Sequence, residues 1–174
     1  MQLLEALGIR LRHYVRSLGS VADGREYSFE ALQNKSPVLG MMDAEKEQEA
    51  AALIDRAKAE GDTLGGTVEL RVQGLKRGFG SCMTSAQKLD GRLAGALMSV
   101  QAVKGVEFGA GFAAARLRGS EHNDAFRVQD GRIVTETNHC GGILGGISTG
   151  MPVVFRAAFK PVSYTHLTLP TIRL

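Results

Sequence analysis

The sequence has 174 residues, of which 44% are apolar and 22 are glycine, and its formal net charge at pH 7 is +3. This length and composition fit one globular domain, and no apolar run approaches the roughly 20 residues of a membrane-spanning helix. The two cysteines, Cys82 and Cys140, are too few for a disulfide framework and lack a metal-binding spacing. Without a dense Lys/Arg block or a secretory signal, the sequence predicts a cytoplasmic protein with no nucleic-acid or membrane partner.

The first half of the chain predicts two helices and two strands. Strong helix formers follow Asp43, which suits an N-cap, and Gly8 suits the C-cap of a short opening helix. Period-two alternation of apolar residues predicts the strands. The predicted elements are a helix over 1–7, a strand over 9–22, a helix over 44–60 and a strand over 67–72.

The first predicted strand carries an arginine row on one of its faces. Its alternation divides the side chains into an apolar set and a set rich in arginine, and a solvated face is expected for the second set. The apolar set is Ile9, Leu11, His13 and Val15, and the other set is Arg10, Arg12, Tyr14 and Arg16.

The second half predicts a helix followed by short strands. Leucines recur at helical spacing over 88–100, and small residues on a second face predict burial on more than one side. Short strands are predicted over 106–108 and 112–117, then a hairpin of 126–128 with 132–134 around Asp130-Gly131, and a last strand over 152–159. The glycine-containing loop 74–85 is a candidate phosphate site, but it lacks the lysine-serine end of a Walker loop.

The densest glycine stretch is 138–150, Asn-His-Cys-Gly-Gly-Ile-Leu-Gly-Gly-Ile-Ser-Thr-Gly. Glycine tolerates positive φ and lets backbone approach closely, so the partner of this stretch is a flat ligand, a phosphate or another backbone. Its apolar residues indicate a segment attached to a core rather than a flexible linker. A tightly packed turn without a ligand is the alternative that composition leaves open.

Three blocks of sequence together resemble the chorismate synthase family. They are 94–107, then 109–112 with 118–124, then 138–150 followed by Lys160-Pro161. The resemblance implies an α+β fold in which antiparallel β-sheets sandwich a helical core, and a homotetramer. It also implies a carbon-oxygen lyase of the shikimate pathway, which eliminates phosphate from the small anionic substrate 5-enolpyruvylshikimate 3-phosphate to give chorismate. The family needs reduced FMN, for which NADPH is a candidate reductant, and serves aromatic amino-acid biosynthesis.

The resemblance implies flavin contacts at Gln101, Ala102, Gly145, Lys160 and Pro161. Ala102 and Gly145 are small enough for close approach, Lys160 can meet a negative charge, and Gln101 offers both a donor and an acceptor. Without the resemblance, a helix-end surface residue is the better interpretation of Gln101, and a solvated strand end that of Lys160.

The resemblance also predicts what this chain lacks. The catalytic histidines, the arginines that hold the substrate phosphate and a Ser-Ala-Arg flavin motif are expected before Met1, and an Arg-Asp motif after Leu174. No catalytic residue is therefore assigned, His139 is interpreted as structural, and the isolated chain is expected to be inactive. Residues 1–162 are predicted to be part of the family domain, and 163–174 a non-native tail. A packing or oligomerisation module and a kinase-like phosphate site on 74–81 are the competing functions.

Overall fold

The computed structural model describes residues 2–162, and the predicted tail, 163–174, lies outside them. The strands are β1 (Arg10–Leu18), β2 (Val21–Ala22), β3 (Gly66–Gln73), β4 (Val103–Phe108), β5 (Phe126–Gln129), β6 (Arg132–Thr135), β7 (Ile143–Leu144), β8 (Ile147–Ser148) and β9 (Val153–Phe159). The α-helices are α1 (Gln2–Ala6), α2 (Ala44–Ala59), α3 (Leu89–Met98) and α4 (Gly119–His122), and short 3-10 helices cover Ala31–Asn34, Ser85–Gln87 and Gly111–Arg116.

Five strands form one antiparallel sheet in the order β2-β1-β3-β9-β4. Its register places Glu69 of β3 opposite Tyr14 of β1 and opposite Arg156 of β9, and Arg156 in turn opposite Glu107 of β4. Directly opposed residues of paired strands point to the same face of a sheet. The predicted α+β fold class with antiparallel sheets is confirmed.

One face of the sheet is apolar and packs against α3. Its core is formed by Ile143, Val153 and Phe155, and Leu70, Val72, Leu75, Leu89, Leu93, Leu97 and Phe108 pack around them. The leucines of α3 therefore supply a single contact face, as their four-residue spacing predicts. The small residues Gly91, Gly95 and Ala96 are exposed, so the prediction that this helix is buried on a second side is wrong within the described residues.

The other face of the sheet is charged, and its central residues are buried. Tyr14 and Glu69 are each 0% exposed, and the side chain of Arg16 is 17% exposed. The prediction of a solvated face for the arginine row is wrong at these positions. The 23–43 segment, with Phe29, Leu32 and Met41 buried in it, covers this side of the first strand.

Helix α2 begins where the sequence predicts. The Asp43 carboxylate accepts the backbone N–H groups of Glu45 at 2.9 Å and Lys46 at 3.3 Å, and these are N–H groups that the helix itself leaves unpaired. The predicted N-cap is confirmed.

Two strand predictions need correction. Residues 112–117 were predicted as a strand, but Gly111–Arg116 is a 3-10 helix, because its run of alanines lacks the alternation that a sheet face requires. The predicted strand over 9–22 is interrupted at Gly19, where φ is +53°, and continues as the short β2. Within residues 2–162, no helix is long and apolar enough to cross a membrane.

Candidate functional site: the glycine-rich segment and the ends of helix α3

The glycine-rich segment forms the β7–β8 hairpin and is tied to the last strand. Its turn is Gly145-Gly146, with φ of +60° and +86°. The Asn138 amide donates to the Pro152 carbonyl at 2.8 Å and accepts the Gly142 N–H at 2.8 Å. One side chain therefore ties the segment's first turn to the residue before β9.

Backbone packs directly on backbone around this segment. A Cβ atom at Gly109 would lie 2.0 Å from the His139 carbonyl oxygen, and one at Gly142 would lie 2.5 Å from the Pro152 carbonyl oxygen. Both glycines have positive φ. Of the three partners that the sequence left open, the structure provides another backbone at these positions.

Asp124, which precedes the glycine-rich segment in the chain, accepts hydrogen bonds at the start of that segment. Its carboxylate accepts the Thr137 hydroxyl at 2.6 Å and the backbone N–H groups of His139 and Cys140 at 2.7 and 2.9 Å. Burial raises the pKa of Asp124, but these hydrogen bonds outweigh burial and bring the pKa below its ordinary value of 3.8. For the neighbouring thiol, burial and then the Asp124 carboxylate raise the pKa of Cys140, so the thiolate is disfavoured.

His139 lies between Asp124 and a second histidine. Its Nδ1 atom is 3.4 Å from Asp124 Oδ1, and among the described residues this buried nitrogen has no hydrogen-bond partner. The rings of His122 and His139 are stacked with centroids 5.7 Å apart. Because the His139 backbone also bonds Asp124 and Ala110, its contacts fit the structural interpretation.

Four of the five predicted flavin residues lie together at the C-terminal end of α3. The carbonyl of Ala102 accepts the Lys160 N–H at 2.8 Å, which joins the start of β4 to the end of β9. Ala102 has a φ of +68°, a left-handed conformation that is uncommon for a residue with a Cβ atom. Gln101 and Pro161 are exposed beside this pair.

The fifth predicted residue, Gly145, lies at the opposite end of α3. The neighbouring Gly146 accepts the Leu89 N–H at 2.9 Å, at the first turn of the helix. A helix of 10 residues is about 15 Å long, so Gly145 is separated from Ala102 by the length of α3. Apart from its chain neighbours, no atom of the described residues lies within 4 Å of a Cβ position at Gly145, which leaves room for a group to approach.

The C-terminal end of α3 favours a hydrogen-bond donor or a cation, because the last carbonyls of the helix carry partial negative charge. The Lys160 ammonium group lies near this end and donates to the Pro161 carbonyl at 2.7 Å. A ligand at this end can therefore present an N–H group to the helix and a negative charge to Lys160.

The loop over 74–85 is hydrogen-bonded to the glycine-rich segment. The Ser148 hydroxyl donates to the Lys76 carbonyl at 2.7 Å and accepts the Phe79 N–H at 2.9 Å. The Arg77 guanidinium group donates to the Thr149 carbonyl at 3.1 Å and to the Ile133 carbonyl at 3.0 Å. Since these groups bond one another, the geometry disfavours the phosphate-loop alternative.

Sequence reasoning missed the ion cluster on the charged face of the sheet. Glu69 accepts Arg71 Nε and Arg156 Nε, each at 2.7 Å, and Arg16 Nη1 at 2.8 Å. The signal in the sequence is a strand in which a carboxylate and a guanidinium alternate with three apolar residues. Alternation alone does not distinguish a wet face from a buried, paired one.

The comparisons with known proteins agree on one family. The family model for chorismate synthase matches residues 1–174. Chorismate synthase of Dehalococcoides mccartyi (strain ATCC BAA-2100) is 42% identical over 99% of this chain and 47% of its own length, and that of Methanosarcina barkeri is 47% identical over 91% and 43%. A solved structure described as a crystal structure of chorismate synthase has a TM-score of 0.84 at 34% identity, covering 92% of this chain and 52% of that chain.

The chain spans about half the length of the curated relatives that it matches. On the match of the family model, the chain belongs to the chorismate synthase family.

Proposed function

We propose that this chain takes part in the chorismate synthase reaction, the elimination of phosphate from 5-enolpyruvylshikimate 3-phosphate with reduced FMN. The observation that carries the proposal is the family match along the whole chain. It is supported by the solved chorismate synthase structure, whose fold corresponds to 92% of this chain. A lyase of aromatic amino-acid biosynthesis follows from this family.

The residues at the C-terminal end of α3 fit a flavin. Ala102 is small and partly exposed, its backbone is left-handed, and the neighbouring Gln101 is exposed. A side-chain amide can pair with the donors and acceptors of a flavin ring. The ammonium group of Lys160 supplies positive charge for a phosphate or an anionic ring.

Each partner contributes something different to the proposed reaction. When bound, reduced FMN supplies the electron density that helps the substrate to expel phosphate. Gln101 would hold the ring by hydrogen bonds, Lys160 would neutralise negative charge on the group, and Pro161 would offer it an apolar surface. Gly145, at the other end of α3, gives the backbone clearance for a second contact.

The isolated chain is proposed to bind the cofactor without catalysing the elimination. The residues of the proposed flavin site include no general acid or base, and the contacts of His139 support a structural role for it. A cytoplasmic location, NADPH as the reductant of the flavin and a homotetrameric parent assembly are further parts of this proposal. The competing module for packing or oligomerisation would use the exposed small residues of α3 and would bind no flavin.

The direct test is a titration of the chain truncated after Pro161 with oxidised and reduced FMN, followed by flavin fluorescence. We expect saturable binding that Lys160→Gln weakens about tenfold, since a charge-assisted contact contributes about 1.5 kcal/mol. Lys104→Gln, which removes an exposed lysine of β4, is the matched control and leaves the affinity unchanged.

Two outcomes would count against the proposal. If a folded chain binds neither form of FMN, the flavin contacts are wrong and the packing module is favoured. If the isolated chain forms chorismate from the substrate with reduced FMN, the proposed division between cofactor binding and catalysis is wrong.

A further inference from the structure

A partly exposed lysine contacts a histidine of β1 at the protein surface. The Lys35 Nζ atom lies 2.8 Å from His13 Nε2 and donates to the His13 backbone carbonyl at 2.9 Å. We propose that Lys35 is an acylation site, at which its amine takes a small acyl group from a thioester while the His13 imidazole removes the proton. The proposal is independent of the proposed function, because it uses none of the five flavin residues.

The chain on both sides of Lys35 is fixed against β1. Leu32 and Met41, which precede and follow Lys35, are buried, and the Val15 N–H donates to the Gly40 carbonyl at 2.9 Å. The side chain of Lys35 therefore approaches β1 from a fixed backbone position. Groups that already lie in position for a reaction avoid part of the entropy cost of being brought together.

The hydrogen bonds of Lys35 leave a lone pair free when its amine is neutral. An ammonium group has three N–H donors and no acceptor, so the neutral amine has two N–H donors and one lone pair. The Nε2 atom and the backbone carbonyl of His13 accept the two N–H groups. Within residues 2–162, Lys35 forms no further hydrogen bond or ion pair. The lone pair can therefore meet a carbonyl carbon that arrives from solvent.

The surroundings of the pair favour the reactive protonation state of both groups. Burial, and then the charge of Lys35, lowers the pKa of His13 below 6.5, so the imidazole is unprotonated at neutral pH. Burial also lowers the pKa of Lys35 below 10.5, which increases the neutral fraction of the amine. Glu47 of α2 contacts the same segment, but its carboxylate accepts the Leu39 N–H at 2.8 Å. Lys35 thus has no carboxylate partner among the described residues that would stabilise its charge.

The proposed step transfers an acyl group from sulfur to nitrogen. The Lys35 lone pair attacks the thioester carbonyl carbon and forms an N–C bond, and the C–S bond breaks with its electron pair leaving on sulfur. His13 Nε2, which lies within the reach of a general base, accepts the proton that the nitrogen loses and later releases it to solvent. The product is an uncharged amide with one N–H, so acylation removes a positive charge and one of the two contacts with His13.

The test treats the full chain with S-phenyl thioacetate below stoichiometry and measures acetylation of each lysine by peptide mass spectrometry. Lys46 is the matched reference in the same molecule, because it is also partly exposed but donates to the Glu49 carboxylate at 2.8 Å, which raises the pKa of Lys46. A positioned general base contributes on the order of 100-fold in enzymes, and we expect about tenfold at this open pair. Lys35 should therefore react about tenfold faster than Lys46, and His13→Gln should remove about tenfold from the Lys35 rate alone.

The pH dependence distinguishes a base from a simple contact and needs no variant. While both lysines are mostly protonated, their rates fall equally with pH, so the ratio of Lys35 to Lys46 acetylation does not depend on amine ionisation. This ratio is expected to fall as pH drops below 6.5 and His13 becomes protonated, and to stay constant in His13→Gln. The proposal is overturned if Lys35 reacts no faster than Lys46, if His13→Gln leaves the Lys35 rate unchanged, or if the ratio in the parent chain does not vary with pH.

Discussion

The Asp124 carboxylate accepts the backbone N–H of His139 at 2.7 Å while lying 3.4 Å from the Nδ1 atom of the same residue. One carboxylate thus contacts both the backbone and the ring of a histidine at the entrance of the glycine-rich segment. This geometry connects α4 to the segment, since Asp124 lies just after α4 and His139 just before the segment's first glycine pair.

Asp124→Asn is expected to lower the free energy of unfolding by about 2 kcal/mol. An amide can keep one acceptor, but its NH₂ group would face N–H donors, and hydrogen bonds to a charged acceptor contribute about 1.5 to 3 kcal/mol. Urea unfolding followed by circular dichroism measures the change. Asp130→Asn, at the exposed tip of the β5–β6 hairpin with φ of +50°, is the control, because asparagine tolerates that conformation. Equal effects of the two variants would contradict the central role of Asp124.

Glu69→Gln is expected to lower the free energy of unfolding by about 3 to 5 kcal/mol, because it leaves three guanidinium groups around a neutral side chain in a buried site. Its hydrogen-bond partners are Arg16, Arg71 and Arg156. Thermal unfolding compared with Glu49→Gln, which alters an exposed pair with Lys46, isolates the effect of burial. A loss no larger than that of the control would show that the cluster is not a stabilising unit.

Acid is expected to destabilise the protein through the same carboxylates. Burial raises the pKa of Glu69, but hydrogen bonds and charge from Arg156 and Arg71 outweigh it and bring the pKa below 4.5; the pKa of Asp124 is likewise below 3.8. A pKa lowered in the folded state stabilises the fold above the ordinary pKa and ceases to do so as pH falls through the folded value. The unfolding free energy should therefore decline as pH falls below about 4.5, with a shallower slope in Asp124→Asn. Identical slopes would remove Asp124 from this account.

Gly109→Ala is expected to cost at least about 2 kcal/mol. Its φ is +55°, and the added Cβ atom would lie 2.0 Å from the His139 carbonyl oxygen, so backbone would have to move. Gly95→Ala serves as the contrast, because that glycine lies inside α3 and, beyond the backbone of its own helix, no atom of residues 2–162 lies within 4 Å of the new Cβ atom. There alanine should stabilise the protein by about 1 kcal/mol. Both values follow from denaturant unfolding midpoints, provided that the unfolding free energy has the same dependence on denaturant concentration in each variant. An unchanged stability of Gly109→Ala would argue against the close backbone packing.

Local patterns predicted the elements whose determinants are local. Asp43 caps α2, the leucines of α3 form one stripe, and Asp130-Gly131 turns the β5–β6 hairpin, all as predicted. Burial of the arginine face was not predictable in this way, because it depends on Glu69, which is remote from β1 in the sequence. The burial predicted for the outer face of α3 is wrong for a different reason. Small residues allow close packing, but they do not show which element packs against them.

Candidate site residues show the same division. Gln101, Ala102, Lys160 and Pro161 come together because β4 and β9 pair next to α3, which the resemblance implied and composition did not. Asp124 is not among the predicted site residues, yet it organises the glycine-rich segment. Its role depends on a turn that brings two backbone N–H groups to one carboxylate, and this geometry leaves no periodic signal in the sequence.

A row of four polar side chains crosses the sheet and helps to fix its strand register. The residues are Tyr14, Glu69, Arg156 and Glu107, one from each of four neighbouring strands. A slip of β3 by one residue would exchange its two faces. Glu69 would then point towards the leucines of α3, and Leu70 towards the guanidinium groups. Both misplaced side chains would destabilise the slipped sheet, because one buries an unpaired charge and the other leaves the guanidinium groups without their carboxylate. In a sheet with only aliphatic side chains the same slip would cost much less. The buried charges therefore select one strand register among those that backbone hydrogen bonding alone would allow.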